Sequence, residues 1–128
     1  MKYALLIHGH QNEWDALATW SRDDLRNMVN FMHELDKELT DTGELLDAQG
    51  LSGPAQARTV QAGQDGDTQV IDGLPADKEF LIGYWLVDVT SPERAVEIAA
   101  RISATPGPGG APVNQPVELH PVGQPPEL

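Results

Sequence analysis

The chain has 128 residues, of which 40% are hydrophobic, and it contains no cysteine. This length suits one domain with a single core, and the lack of cysteine excludes disulfides, thiolate nucleophiles and cysteine metal clusters. Twenty acidic residues against eight basic ones give a formal charge of −12, which repels phosphate backbones and anionic lipid surfaces, so we expect neither direct nucleic-acid binding nor membrane association.

The first third of the chain predicts a strand followed by a long helix. Residues 2–8 form an apolar run that is typical of a buried strand and too short for a signal peptide, so we expect a cytoplasmic protein. Residues 11–20 are interpreted as a connection. Ser21 is a favourable N-cap for a helix over about residues 22–42, and Gly43 is expected to end that helix.

The middle of the chain predicts a strand, a hairpin and a second, more apolar strand. Residues 44–51 are interpreted as the first of these strands. Residues 57–61 and 68–71 are interpreted as a hairpin that turns at residues 64–67. Residues 81–89 are dense in aliphatic and aromatic side chains, so we expect them to form the central strand of a sheet.

The last third of the chain predicts a second helix, a final strand and a tail. Ser91 followed by Pro92 is typical of a helix start. The sequence after this helix is rich in proline and glycine, and only residues 117–120 alternate as a strand does. We expect one domain over residues 1–122 and a flexible tail over residues 123–128.

The order of the predicted elements indicates the fold class. Strand, helix, strand, hairpin, strand, helix and strand give an α+β fold, in which an antiparallel sheet carries its helices on one face, as in ferredoxin-like proteins. The other face of such a sheet stays uncovered, and a second copy of the chain could bury it. We therefore predict a homodimer.

The most specific motif lies within residues 70–89. An Asp-Gly turn at positions 72 and 73 is followed by a loop with acidic residues and a lysine, and then by a strand that contains Gly-Tyr-Trp. This stretch resembles the DGPF branch of the YciI-like (YCII-related) family, although Leu74-Pro75 stands where that branch has Pro-Phe. The resemblance extends over about residues 1–122. It implies a dimeric α+β barrel in which two sheets pack together, in a family whose chemistry is largely unassigned.

Asp72 and His33 are the candidate catalytic residues. The resemblance implies that a histidine of the first helix pairs with an aspartate near the Asp-Gly loop, in a cleft suited to acid–base chemistry. Asp72 would border a cleft beside the strand at residues 81–89, where partial loss of water favours proton transfer, and the alternative is that its carboxylate closes an Asx turn. His33 lies on the flank of the apolar stripe of its helix, and the alternative is a solvated surface histidine.

Four further residues are predicted to bind substrate: Gly73, Lys78, Arg58 and Tyr84. Lys78 belongs to the same loop as Asp72 and could tune its carboxylate. Asp36 falls within the apolar stripe of the helix, so it needs a partner such as Arg58 unless it reaches the rim of the helix. Tyr84 could instead be a core or dimer-interface residue.

His8 and His10 offer an alternative that includes a metal. They are two positions apart, so an extended strand would project both to one side, where Glu13 or Asp15 could complete a divalent-metal site. Because an isolated His-x-His is frequent by chance, we expect no metal and no cofactor.

Three classes of function are consistent with these residues. The first is a small enzyme without a bound cofactor that carries out proton transfer, isomerisation or elimination on a small organic molecule, since lactone isomerases and cofactor-free oxygenases have related folds. The second is a small-ligand-binding or accessory protein, since DGPF proteins often occur beside or fused to alternative sigma factors. The third is a purely structural dimer.

Overall fold

The strands and helices begin and end close to the residues that the sequence predicts. The structure, a computed structural model, describes residues 1–127. Its elements in chain order are β1 Lys2–Gly9, α1 Gln11–Ala16, α2 Arg22–Asp41, β2 Leu45–Gly50, β3 Arg58–Ala62, β4 Thr68–Asp72, β5 Phe80–Asp88, α3 Pro92–Ser103 and β6 Glu118–Pro121. The α+β fold class is therefore confirmed.

The two long helices start at the predicted serine caps. The Ser21 hydroxyl accepts a hydrogen bond from the backbone N–H of Asp24 at 3.1 Å, and the Ser91 hydroxyl accepts one from the N–H of Arg94 at 3.2 Å. Each cap satisfies a backbone donor that the first turn of a helix leaves free. Helix α2 ends before Gly43, whose φ of 78° lies in the left-handed region that glycine adopts at low cost.

The main sheet has four strands in the order β2-β5-β1-β6, and all of its pairings are antiparallel. This is the strand order of the ferredoxin-like arrangement. Strand β5 lies between β2 and β1, so the prediction of a central strand is confirmed. Strand β6 continues the sheet on the far side of β1, where Leu119 faces Leu5 across the pair.

The core lies on one face of this sheet. Leu5 of β1 and Val87 of β5 are fully buried, and they belong to the same cluster as buried residues of α2 and α3. The helical contribution to that cluster consists of Leu35, Leu39, Ala95, Ile98, Ala99 and Ile102. Because residues from both long helices meet the same strand face, the predicted one-sided helix layer is confirmed.

The opposite face of the sheet carries the alternate side chains of the same strands. We call this surface the open face; it is formed by Ala4, Leu6, His8, Asp47, Gln49, Tyr84, Leu86, Glu118 and His120. Leu6, Tyr84 and Leu86 are only half-buried there. Strand side chains alternate between the two faces of a sheet, so the long helices that cover Leu5 and Val87 cannot also cover their neighbours.

The β3–β4 hairpin forms a separate two-stranded sheet. All ten of its residues are exposed, including Val60, Val70 and Ile71 at 62%, 53% and 61%. The turn closes at Gly66, which has a φ of 85°, as the Asp-Gly signal predicts. An isolated hairpin is only marginally stable in water, so the β3–β4 hairpin is stabilised wherever another surface covers it.

The interpretation of residues 11–20 as a simple connection is wrong. Helix α1 occupies the first six of these residues, and a 3₁₀ turn at Leu17–Thr19 follows it. The side chain of Gln11 bonds to Asp15 at 2.8 Å, and Trp14 packs edge-on against Phe80 with 6.3 Å between ring centroids. These contacts stabilise a helix that has too few turns to show an apolar period.

The end of the described chain adds little to the sheet. After β6, Val122 donates its N–H to the carbonyl of Lys2 at 2.9 Å, and residues 123–127 are exposed and form neither helix nor strand. Among residues 1–127, no helix has the length and apolar character needed to cross a membrane.

Asp36 is half-buried, and Arg58, the residue suggested as an example of a partner, does not contact it. The Asp36 carboxylate accepts a hydrogen bond from the indole N–H of Trp85 at 2.9 Å, whereas Arg58 lies in the hairpin and contacts Asp72. The indole donor accounts for a half-buried carboxylate on the core side of α2, because a polar group that loses water needs a hydrogen-bond partner.

A bidentate ion pair joins the start of β2 to α3. The guanidinium of Arg94 donates from Nε and Nη2 to the two carboxylate oxygens of Glu44, each at 2.9 Å. The Thr42 hydroxyl donates to the same carboxylate at 2.8 Å. The hydrogen bonds from Arg94 are the main reason that the pKa of Glu44 lies below its ordinary value.

We predict that Glu44→Gln lowers the free energy of unfolding at pH 7 by about 1 kcal/mol, the scale of a partly exposed charge-assisted hydrogen bond. The pKa of Glu44 is depressed in the folded state. Its contribution to the free energy of unfolding is therefore present above the pKa of the unfolded state and is lost as the pH falls through the pKa of the folded state. Urea unfolding of both proteins from pH 7 to acid should therefore show a difference that closes below about pH 4.

Glu34→Gln is the control for this prediction, because Glu34 is exposed on α2 and a surface substitution of this kind changes stability little. A difference between wild type and Glu44→Gln that stayed constant as the pH fell would contradict the ion-pair account.

Candidate functional site

The Asp-Gly loop borders a cavity of about 400 Å³ at the base of the hairpin. Its walls come from the segment after β2, the start of β3, the loop after β4 and the start of β5. The lining residues are Leu51, Ser52, Pro54, Gln56, Ala57, Arg58, Leu74, Phe80 and Leu81. We call this cavity the hairpin cleft. Largely apolar walls with a few polar groups and one charge are typical of small-molecule sites.

Backbone hydrogen bonds fix the shape of the hairpin cleft. Gly73 has a φ of 74° and donates its N–H to the carbonyl of Ala57 at 2.7 Å. Leu74 then donates to the carbonyl of buried Pro54 at 3.2 Å. A left-handed residue directly after β4 is what lets the chain turn back onto the segment at Pro54, which explains glycine at position 73.

Asp72 and Arg58 form an ion pair at the edge of the hairpin cleft. They are direct cross-strand partners, and Arg58 Nε lies 3.0 Å from Asp72 Oδ1. Both side chains are largely exposed, at 69% for Arg58 and 79% for Asp72. The Asp72 carboxylate thus contacts a guanidinium, and among residues 1–127 it makes no side-chain hydrogen bond of the Asx-turn type.

The structure brings together only part of the predicted site. Arg58 lines the hairpin cleft, Asp72 forms an ion pair with Arg58, and Gly73 bonds to Ala57 of the cleft wall. His33 is exposed on α2, and no hydrogen bond or ion pair joins its ring to Asp72 within the described chain. Lys78 is exposed in the loop before β5, where its N–H donates to the carbonyl of Pro75 at 3.0 Å. The catalytic and binding roles of these residues stay predictions.

Tyr84 lies on the open face, away from the lining of the hairpin cleft. Its hydroxyl donates a hydrogen bond to Asp47 Oδ2 at 2.8 Å. This bond lowers the pKa of the Asp47 carboxyl and raises the pKa of the Tyr84 phenol. Sequence reasoning missed Asp47; the available signal was an acidic residue inside an otherwise apolar strand, which indicates a position facing away from the core.

A group of histidines and glutamates gathers near the end of β1. We call His8, His10, His120, Glu79 and Glu118 the histidine–glutamate array. His8 Nδ1 lies 3.9 Å from Glu79 Oε1 and 3.8 Å from Glu118 Oε2. His8, Glu79 and Glu118 together present ligand atoms that all lie within 4.8 Å of one another.

The predicted grouping of His8 and His10 with Glu13 or Asp15 is only partly correct. Glu13 does contact His10, at 3.3 Å, but Asp15 bonds to Gln11 instead. The carboxylate of Glu79 lies between the two imidazoles, with Oε2 at 3.9 Å from His10 Nε2. The array also includes Glu118 and His120 of β6, which are more than 100 positions away in the sequence and could not be assigned from local spacing.

A wider depression lies over α1 and opens broadly to solvent. It is lined by His10, Gln11, Asn12, Glu13, Asp15 and Ala76. None of the residues predicted to be catalytic or to bind substrate lines this depression, and its walls are polar. The hairpin cleft, which has apolar walls, an arginine and the Asp-Gly loop, is therefore the better candidate for an organic ligand.

Comparison with known proteins identifies the family. Residues 1–110 match the YCII-related domain. The chain belongs to the YCII-related domain family. An uncharacterized protein of Rhizobium meliloti (strain 1021) is 28% identical over 126 residues, which cover 97% of this chain and 98% of that protein. The match confirms the predicted YciI-like (YCII-related) family, without the DGPF branch, and agrees with the ferredoxin-like α+β fold. Strand β6 lies beyond the matched residues and still pairs with β1.

Proposed function

We propose that the protein binds a small organic acid in the hairpin cleft and carries out acid–base chemistry on it as a homodimer. The observation that carries this proposal is an arginine at the edge of an apolar cavity, held by a neighbouring carboxylate. The family match supports a YciI-like domain and carries no reaction with it.

Arg58 is suited to bind a carboxylate. Asp72 contacts the guanidinium at Nε, and neither Nη group donates a hydrogen bond within residues 1–127. Those groups form a planar pair of donors that matches the two oxygens of a carboxylate. Leu74, Phe80 and Leu81 would contact the apolar part of the ligand. A ligand that combines a carboxylate with a short apolar skeleton, or a lactone of similar size, fits this distribution.

We predict that Arg58→Gln weakens binding of such an acid at least tenfold, which corresponds to about 1.4 kcal/mol. The measurement is a thermal-shift screen of small carboxylates and lactones, followed by calorimetric titration of the compounds that stabilise the protein. The binding loss follows from removal of a bidentate charged contact.

Arg26→Gln is the matched control, since Arg26 is an exposed arginine that lies 3.4 Å from an aspartate, Asp23, on α2. Equal affinity in wild type and Arg58→Gln, or a screen in which no acid or lactone stabilises the protein, would contradict the proposed binding site.

Asp72 supplies the base in the proposed chemistry. Its carboxylate lies beside the guanidinium that would hold the ligand, so a C–H next to the ligand carboxylate or lactone carbonyl comes within its reach. This chemistry needs no organic cofactor. His33 would take part as the second acid–base group only if the partner subunit brings α2 to the hairpin cleft, because the two side chains do not meet within one chain.

We predict that wild-type protein in D₂O catalyses exchange of deuterium into a bound acid or lactone at the carbon next to its carbonyl, and that Asp72→Asn abolishes this exchange. Proton NMR of the ligand measures the loss of the signal. Asp65→Asn is the control, because Asp65 lies in the hairpin turn, at the opposite end of the hairpin from the Arg58–Asp72 pair. Binding without any exchange by the wild type would identify a ligand-binding protein and contradict catalysis.

The proposed homodimer covers the part of the open face formed by Leu6, Tyr84 and Leu86, outside the histidine–glutamate array. That face combines half-buried Leu6 and Leu86 with the Tyr84–Asp47 hydrogen bond, and neither long helix packs on it. The exposed β3–β4 hairpin supplies a second apolar surface through Val60 and Val70. Apolar surface of this kind gains free energy when a second copy covers it.

We predict a mass of about 28 kDa by light scattering at micromolar concentration, twice the 13.9 kDa of one chain. Leu86→Glu should shift the mass to that of one chain, because it places a charge in the proposed interface. Val96→Glu on α3 should leave the dimer intact, since Val96 is 55% exposed on the helical layer. A single-chain mass for the wild type at all concentrations would contradict the dimer.

A further inference from the structure

His8 occupies a special position in the histidine–glutamate array. Its Nδ1 atom is shielded from solvent and has no hydrogen-bond partner among residues 1–127, although its side chain is 28% exposed as a whole. The nearest charged atoms are one oxygen of Glu79 and one of Glu118, at 3.9 and 3.8 Å, which is beyond hydrogen-bond range. Because Nδ1 and the two carboxylate oxygens are too far apart for hydrogen bonds, there is room for a metal ion between the nitrogen and the oxygens.

A second imidazole lies on the far side of each glutamate, and only the one beside Glu118 is within hydrogen-bond distance. Glu79 directs Oε1 toward His8, and its Oε2 lies 3.9 Å from His10 Nε2. Glu118 directs Oε2 toward His8, and its Oε1 lies 3.2 Å from His120 Nε2. In both cases one oxygen faces the centre and the other faces an outer histidine. The Glu118–His120 contact matches metal sites in which an outer partner orients a ligating carboxylate.

The backbone around His8 also fixes its position. The pairing between β1 and β5 shifts by one residue between Ile7 and His8, and such a bulge changes the direction of the side chains that follow it. The side chain of Gln115 donates a hydrogen bond to the backbone carbonyl of His8 at 2.6 Å. His8 is thus presented toward Glu118 of β6 by features that do not depend on its ring.

We propose that His8, Glu79 and Glu118 form a binding site for one divalent transition-metal ion per chain. One imidazole nitrogen and two carboxylate oxygens are a donor set used for zinc, and two carboxylates balance the charge of the ion. The nitrogen donor favours a transition metal over Mg²⁺ and Ca²⁺, which prefer oxygen ligands. The net charge of −12 attracts cations to the surface.

The spacing of the ligand atoms is close to that of an occupied site. Zinc bonds of about 2.1 Å at tetrahedral angles put ligand atoms roughly 3.4 Å apart. The separations of 3.9 and 3.8 Å from His8 Nδ1 to Glu79 and Glu118 need a shift of a few tenths of an ångström, and the three ligand atoms all lie within 4.8 Å of one another. The carboxylates of Glu79 and Glu118 are half-exposed and can make the shift that an ion requires. The remaining coordination positions would be open to water or to a ligand.

The proposed metal site is separate from the hairpin cleft. None of its three ligands lines that cavity, although Glu79 is the residue before Phe80 in the cleft wall. A bound ion would link the loop before β5 to the edge strand β6, and β1 lies between β5 and β6 in the sheet. Binding to the folded state alone should therefore raise the melting temperature.

The test is calorimetric titration of the chelator-treated full-length protein with ZnCl₂, with MgCl₂ and CaCl₂ as comparisons. We expect one Zn²⁺ per chain, a melting temperature that rises with Zn²⁺, and little binding of the other two ions. Glu118→Gln and His8→Gln should each weaken Zn²⁺ binding tenfold or more. Glu118→Gln changes an exposed residue on an edge strand, so it keeps the test valid if His8→Gln fails to fold.

His33→Gln is the matched control, because it removes the one histidine that lies outside the array. Its Zn²⁺ affinity should equal that of wild type. Equal affinity in all variants would show adventitious surface binding and overturn the proposal. Absence of Zn²⁺ binding at millimolar concentration, or equally tight binding of Mg²⁺, would overturn it as well.

Discussion

The antiparallel pairing of β1 with β5 holds the centre of the main sheet and sets the facing of its side chains. Leu5 faces Trp85 across this pair, and both side chains point toward the helices. Because the side-chain period of a strand is two residues, the same pairing sends Leu6 and Tyr84 to the opposite side. One pairing register therefore decides which residues form the core and which form the open face. A shift of one residue would exchange the two sets.

The same pairing also places the two candidate sites next to each other. Strand β5 begins at Phe80, which lines the hairpin cleft, and the preceding residue Glu79 belongs to the histidine–glutamate array. Strand β1 ends beside them and contributes His8. The loop between β4 and β5 thus contacts both sites, and the conformation of Gly73 at its start determines how that loop leaves the hairpin.

Local chemistry made most of the fold predictable. Ser21, Ser91 and Gly43 mark helix ends through contacts within a few residues, and the density of apolar residues at 81–89 indicates a strand with neighbours on both sides. The cleft beside the Asp-Gly loop was also predictable, because a glycine that turns the chain at a strand end brings the next segment back onto the sheet.

Contacts between distant segments were not predictable from one sequence. The hydrogen bond between Asp36 and Trp85 spans 49 positions. The sequence alone does not show the indole donor that explains a carboxylate within the apolar stripe of α2. Glu118 reaches His8 only because β6 pairs with β1. Helix α1 was missed for a different reason: six mostly polar residues show no periodicity, and its stability comes from Trp14 packing on Phe80.

In the proposed dimer, Leu6 and Leu86 of the open face are covered by the second copy of the chain. The most direct measurement is the paramagnetic relaxation of methyl signals by a soluble gadolinium chelate. Val87, which is fully buried, and Val96, which is 55% exposed, set the two limits. We predict that the methyl groups of Leu6 and Leu86 relax as slowly as those of Val87 at concentrations where the dimer forms. Relaxation of both leucines as fast as Val96 would show that this part of the open face stays in contact with solvent, and it would contradict the proposed dimer.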